Sequence, residues 1–449
     1  MLALGLLAAI AATRAAAQNA NAEAGAQPAY PGIPPSQNRL ETEVGSYKVR
    51  LYGTILLNTS GSDASILGQD VPLWTLPSAG NVTYPDGSVG PASSSHDLIF
   101  TMRQSIIGFT INPAQSSGWS PSGLVEADFF GPRPVDAFQP LNRVLNTPRL
   151  RKAYFELVHE SVRLVFGQDK MILAPIDPVS LSHVAMPLGA TAGDLWGWSP
   201  QIRVDFHPSV GSTGFLFQFG ILRPQFGDTR LEAFPAADTS LDLTSSGLGE
   251  RSTQPFYQGR VAVMPEILGR KATIGVSGHY GTEQIGVDRT LKSSAGALDL
   301  DVPLTHYLTV RGEAFTGSNL IPFGGGISQG AAVLAAPVAT APPLTIRAIQ
   351  SSGGWGELTI IPDRTNKNVV YLGAGTDQPK TSTLLPGTTR AENTFLWASY
   401  FRKLTDNVTA AMEWSQWRFY TVTFTNNVLG PTGPDNKGNV VNVSFAYQF

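Results

Sequence analysis

The sequence predicts an all-β chain closed into a transmembrane, antiparallel, up-and-down β-barrel of about sixteen strands, with its third long loop folded inward. Three observations carry this prediction. Run after run alternates apolar with polar residues. The clearest is the end of the chain, where Val441, Val443, Phe445, Tyr447 and Phe449 share one face and Asn442, Ser444 and Gln448 the other. The connections between runs are alternately short and long. Only 14% of the 449 residues are charged, while 42% are hydrophobic, which suits apolar groups spread over one face of many strands.

The rest of the composition excludes competing classes. There is no Cys, which removes disulfide and thiolate chemistry. A net charge of −3 without any Lys/Arg block gives no footing for nucleic acid. No run of about 18 apolar residues follows the leader, so helical spans are not expected. Residues 1–17 read as a secretory signal peptide: Leu2 to Ala12 is apolar or small, and Ala15-Ala16-Ala17 forms a small-residue cleavage pattern. No Lys or Arg precedes the apolar run. Residues 18–43, rich in Ala, Asn and Pro, read as a flexible periplasmic tether, and 44–449 as the barrel.

The strands follow in order. The first, about 44–58, sets Val49, Leu51, Ile55 and Leu57 against Lys48, Arg50, Tyr52 and Thr54. The second, about 97–111, carries Arg103 and Gln104 in muddled parity. The third, 122–130, opposes Val125, Ala127 and Phe129 to Glu126 and Asp128. The fourth, about 149–158, opposes Ala153, Phe155 and Leu157 to Lys152, Tyr154 and Glu156, and turns tightly into the fifth, 161–168, with Arg163 inward. The long connection 169–200 leads to the sixth, where Ile202, Val204 and Phe206 face away from Arg203 and Asp205. The seventh, 213–222, is Phe-rich on one face; the eighth, about 256–264, carries Arg260; the ninth spans 271–281. The tenth, 293–302, sets leucines against Asp299 and Asp301, and the eleventh, 307–316, sets Leu308 and Val310 against Arg311 and Glu313. Strands at 354–361, 369–376, 393–402 and 408–420 precede the last, 439–449. The second, twelfth and thirteenth have the weakest patterns, so counts of fourteen and eighteen stay open.

Charges of the parity opposite the apolar face would point into a wet lumen, because Arg or Lys on the lipid face costs about 2–4 kcal/mol at mid-bilayer. The expected pore-lining set is Arg103, Glu126, Asp128, Arg163, Arg203, Asp205, Arg260, Arg311 and Glu313. Lys48, Arg50, Lys152, Lys271, Glu156, Asp299, Asp301, Glu357 and Glu413 share that face. Rings of Arg favour anions, which motivates an expected mild anion preference; the competing reading is a solvated wall without selectivity. The connection 169–200 adds Asp169, Lys170, Asp177 and Asp194 to the set. It is otherwise greasy (Met171, Ile172, Leu173, Leu181, Leu188, Trp196, Trp198), so it is expected to bury itself inside the barrel. The alternative is packing over the mouth or on a neighbouring subunit. The histidines are scattered without a Gly-x-Ser-x-Gly elbow; His96-Asp97 is a loop pair. No metal ligand set or cofactor is expected.

The aromatic-ended last strand resembles the closing strand of bacterial outer-membrane barrels. Glu126-Ala-Asp-Phe-Phe130, Arg149-Leu-Arg-Lys-Ala-Tyr154, Gly167-Gln168, Pro200-Gln-Ile-Arg203 and Gly312-Glu-Ala-Phe315 look like the DcaP-like group of trimeric porins. The resemblance covers most of 44–449. It implies a homotrimer in outer-membrane lipid, an inserted third loop, and passage of small hydrophilic solutes, including organic anions. The chain lacks the group's amino-terminal coiled coil, which would leave trimerisation to barrel contacts. The expected function is therefore a passive channel and not an enzyme. The alternatives are a soluble exported β-sandwich of lectin type and an outer-membrane hydrolase.

Overall fold

A computed structural model describes residues 40–449, apart from 69, 77–80, 92–96, 114–117, 132–146, 227–246, 287, 335–344, 364–366 and 434–435. The leader, most of the expected tether and His96 lie outside the described residues. Sixteen strands form one antiparallel wall. They are β1 Tyr47–Ser62, β2 Asp97–Thr101 and Ile106–Pro113, β3 Ser120–Asp128, β4 Arg149–His159, β5 Val162–Lys170, β6 Trp198–Phe206, β7 Thr213–Leu222 and β8 Phe256–Met264. They continue as β9 Thr273–Gly286, β10 Arg289–Pro303, β11 Leu308–Ser318, β12 Gln350–Ile360, β13 Asn368–Pro379, β14 Arg390–Lys403, β15 Val408–Thr425 and β16 Asn436–Gln448.

Each strand pairs with its sequence neighbour, and β16 pairs back onto β1, from Thr54↔Gln448 to Ser62↔Val440. That last pairing closes the wall, as the unpaired edge groups of a membrane sheet require. It also overturns the sandwich alternative, which needs two open sheets. Leu40–Val44 adds a short strand beside the lower half of β1, although the reading of the sequence gave 40–43 to the tether.

The alternation of side chains sorts the wall into two faces. Phe155, Phe206, Phe219, Val276, Leu298, Met412 and Phe445 are exposed on the outside. Asn58, Glu126, Glu156, Asp205, Asp299, Glu413 and Asn442 are buried on the opposite face. This arrangement inverts that of a soluble protein and suits a hydrocarbon surround.

Several expectations need correction. β2 is interrupted between Thr101 and Ile106, and Arg103 and Gln104 leave the ladder to bond Asp70 and residues 182–185, which explains the muddled parity. β9 and β10 run on as a paired hairpin as far as Gly286↔Arg289, so the alternation of long and short connections lapses once. Lys271 is exposed in the turn before β9, paired in register with Glu266, and Lys48 is exposed too.

The lumen is also drier than alternation alone predicts. Met171, Leu173 and Leu195 pack with Phe256, Phe315, Leu320 and Phe323, while Leu188 and Ala192 pack with Trp355, Phe395, Trp397 and Trp417. Leu181 packs with Tyr371 and Phe401. The greasy connections and inward aromatics bury one another, since neither gains from water. Glycines admit these rings: a Cβ on Gly373 would lie 2.2 Å from Trp397, and one on Gly375 2.4 Å from Phe395.

Candidate functional site

The site is built on residues 171–197, between β5 and β6. The free backbone N–H groups of this stretch find partners on the buried face of the wall. The amides of Ile172 and Leu173 donate to Gln258 Oε1 (2.8 and 3.1 Å), that of Ala174 to Ser277 Oγ (3.2 Å), that of Ile176 to Glu313 (2.8 Å) and that of Val179 to Glu357 (2.6 Å). Farther on, Asn58 donates to the carbonyl of Ser182 (3.3 Å), and Gln104 donates to the same carbonyl (2.7 Å) while accepting from the amides of Val184 and Ala185. The partners sit on β8, β9, β11, β12, β1 and the break in β2. Buried backbone groups without water need such partners, so polar wall positions anchor an apolar segment.

A ladder of ion pairs stands beside it. Arg151 donates to Glu126 (2.8 Å), to Asp128 (3.0 Å) and to the carbonyl of Val184 (2.9 Å). Arg149 reaches Asp128 (2.6 Å) and the carbonyl of Ala185 (2.6 Å). Arg163 joins Glu156 (2.5 Å) to Asp205 (2.9 Å), and Arg203 joins Asp205 (3.0 Å) to Asp169 (3.1 Å). Arg103 pairs with Asp70 and lies 3.9 Å over the Phe130 ring. Arg260 holds Asp299 (3.0 Å), and Arg311 holds Asp301 (3.0 Å) and Glu357 (3.2 Å). Nearly every cation is tied to a carboxylate, so counting charges decides nothing about selectivity.

Lys170 bonds Asp177 (2.6 Å) next to Glu313 and Asp194. Asp194 is 1% exposed, and its carboxylate lies beside the Trp355 side chain. Burial, reinforced by Asp177 and Glu313 and offset by Lys170, raises its pKa well above the usual carboxylate range.

Between 175–198 and the wall lies a cavity of about 280 Å³. Arg151, Lys152, Lys170 and Arg311 line it, with Asp177 as the one carboxylate among its described lining residues. Of the expected pore-lining set, Lys170, Asp177 and Arg311 reach this cavity. Glu126, Asp128, Arg163, Asp169, Arg203 and Asp205 lie in the ladder behind it; Glu313 accepts from the Ile176 amide, and Asp194 is buried within 171–197 near Lys170 and Glu313; Arg103 and Arg260 pair away from it.

Arg151 escaped the sequence reading because a bulge between Leu150 and Lys152 inserts it as an extra residue, turning both Arg151 and Lys152 to one face. Its guanidinium lies 4.6 Å from the Trp198 ring. The inward tryptophans were findable: Trp355, Trp397 and Trp417 share parity with Glu357, Ser399 and Glu413. His183 meets both Ser180 (2.9 Å) and Glu413 (3.1 Å) through Nδ1, while its Nε2 has no partner among the described residues.

The closed sixteen-strand wall with an apolar outside and a charged inside defines the outer-membrane porin fold. Solved structures of outer-membrane channels share it. The outer-membrane channel DcaP of Acinetobacter baumannii aligns with a TM-score of 0.63 at 14% identity, over 91% of this chain and 99% of that one. OmpF of Salmonella typhi, in complex with daunomycin, aligns at 0.52 and 10% identity over 91% and 100%. An anion-selective porin from Comamonas acidovorans aligns at 0.50 and 10% identity over 90% and 100%. No protein-family model and no curated protein matches the sequence. The resemblance to DcaP-like porins thus holds at the level of fold.

Proposed function

We propose that this chain is a channel of the bacterial outer membrane, exported by its leader and assembled as a homotrimer, through which small hydrophilic solutes pass by passive diffusion. Residues 171–197 act as the inward-folded third loop and narrow the path. A mild preference for anions belongs to this reading. The cavity beside 175–198 carries it: four cations and the single carboxylate of Asp177 face the space, while the carboxylates holding Arg151 and Arg311 lie behind them in the wall. An anion entering meets positive charge at close range, yet the carboxylates behind keep binding weak enough for release. The fold shared with an anion-selective porin is in keeping with this reading.

Catalysis has no place in it. In a hydrolytic relay, serine and carboxylate occupy opposite nitrogens of the histidine. Here Ser180 and Glu413 crowd the same one, on a buried ring.

Planar-bilayer recording in a KCl gradient tests the proposal. The expected reversal potential has the sign of chloride preference, and replacing Lys152 and Lys170 together with Gln moves it toward potassium. A cation-selective unmodified channel would refute the preference, and the absence of any conductance would refute the channel.

A further inference from the structure

The chain leaving β11 also turns into the lumen, over residues 319–329, a stretch without a charged residue. Leu320, Ile321 and Phe323 are buried against Met171, Leu173 and Leu195. The two backbones meet as well. The Trp196 amide donates to the carbonyl of Phe323 (3.2 Å), and a Cβ on Gly325 would lie 2.9 Å from the Leu195 side chain. One end of this second segment is fixed to the wall independently of 171–197. Arg390 on β14 donates to the carbonyls of Ile327 and Ser328 (2.8 and 2.9 Å), and Asp377 on β13 accepts from the Ile327 amide (3.0 Å). Ile327 holds a φ of +54°. A β-branched residue stays in that region only where its surroundings impose it, and here Arg390 and Asp377 do so.

The other end is joined to the start of 171–197 by a chain of buried hydrogen bonds. Ser293 has one hydroxyl proton, which goes to the carbonyl of Asn319 (2.8 Å), so its oxygen accepts from His279 Nε2 (3.0 Å). Nδ1 of the same ring is then the acceptor, and it meets the side-chain nitrogen of Gln258 (3.4 Å). Gln258 Oε1 in turn takes the amides of Ile172 and Leu173. Donors and acceptors alternate without conflict along the whole chain. The His279 ring also stands edge-on to Phe323, with centroids 4.8 Å apart at 82°. His279 therefore touches 319–329 through its ring and Ser293, and 171–197 through Gln258.

We propose that residues 319–329 are a brace that holds 171–197 in the lumen, with His279 as the positioning residue that couples the two, so that neither segment shifts alone. Arg390 and Asp377 give the brace its fixed point on the wall. The aperture beside Lys170 and Asp177 is then set partly by residues that do not line it. That last consequence rests on reading 171–197 as the segment that narrows the path.

Hydrogen exchange read by mass spectrometry on the full chain in detergent tests the coupling. In Phe323→Ala the amides of 172–179 should exchange about tenfold faster, an effect the size of one lost buried hydrogen bond. In Gly193→Ala the amides of 319–329 should do the same, although nothing there is altered. His279→Leu should loosen both segments, and His279→Gln, which keeps a donor for Ser293, should loosen them less. Strand β16 should stay protected in every variant, with heat-modifiable gel mobility kept. Release of only the segment that carries the substitution would overturn the proposal, as would exchange in His279→Leu identical to that of the unmodified chain. A measurement on the unmodified chain needs no variant to fold: as urea rises, the two segments should lose protection at one concentration, and loss at two separate concentrations also overturns the brace. Single-channel conductance separates this proposal from the reading beneath it. Joint loosening with unchanged conductance keeps the brace and removes 171–197 as the constriction.

Discussion

A single inserted residue, Arg151, organises the buried charges of the lumen. It bridges Glu126 and Asp128, both fully buried, and ties them to Val184. Removing one partner of a buried network leaves the other charge unmatched, which costs about 3–5 kcal/mol. Arg151→Met should lower stability by that amount in urea titrations of the refolded barrel, and adding Glu126→Gln should restore part of it. A loss under about 1 kcal/mol would mean the network is solvated. Asp194 acts differently. Its native pKa is raised, so the folded chain keeps a proton that the unfolded chain releases. Its contribution is whole below about pH 4 and is lost as pH rises through the native value. Unfolding midpoints of the natural chain should fall from pH 5 to pH 8 relative to Asp194→Asn; parallel profiles would discount this group. Periodicity could show neither residue's role, because a bulge resets parity at one and the other lies outside any strand.

At the scale of elements, residues 171–197 are held by many weak anchors, each a backbone amide on a wall side chain. Their greasy composition was legible in the sequence as a segment seeking burial; which wall side chains receive it was not. Gly193 shows how tight the fit is. Its φ is +119°, and a Cβ there would lie 2.2 Å from the carbonyl oxygen of Gly354. Gly193→Ala should push the segment off β12. The expected result is higher and noisier single-channel conductance, with the barrel intact by heat-modifiable mobility. Unchanged conductance would show that this segment does not set the passage. Gly373→Ala strikes the wall side instead, against Trp397, and should cost about 1–3 kcal/mol by overpacking.

The whole molecule is a closed ring of hydrogen bonds with its apolar surface outside. Arginine at an outward mid-wall position should therefore cost far more than arginine above the wall. Val443→Arg is expected to lose about 2–4 kcal/mol in urea unfolding from lipid vesicles, while Val428→Arg, in the strand beyond the end of β15, should lose little. Similar losses at both positions would argue against a hydrocarbon belt. The strand count to within about two, and the face most strands turn outward, were readable because period-two alternation is local, and lipid and lumen select it at nearly every position. The reading erred where the ladder bends: at the break in β2, the bulge in β4 and the extended β9–β10 hairpin.

The sequence by itself determined the barrel and its inverted faces, since each strand's pattern reports the two media it separates; closure at sixteen strands, with fourteen and eighteen left open by the pattern, came from the pairing of β16 with β1. Only the tertiary structure decided how much of the lumen stays open. Packing of 171–197 against Trp355, Phe395 and Phe256 joins residues far apart in the chain, and no local period records such a meeting. The same is true of the cations that line the remaining cavity: their shared face was visible strand by strand, but their convergence follows from closing the ring.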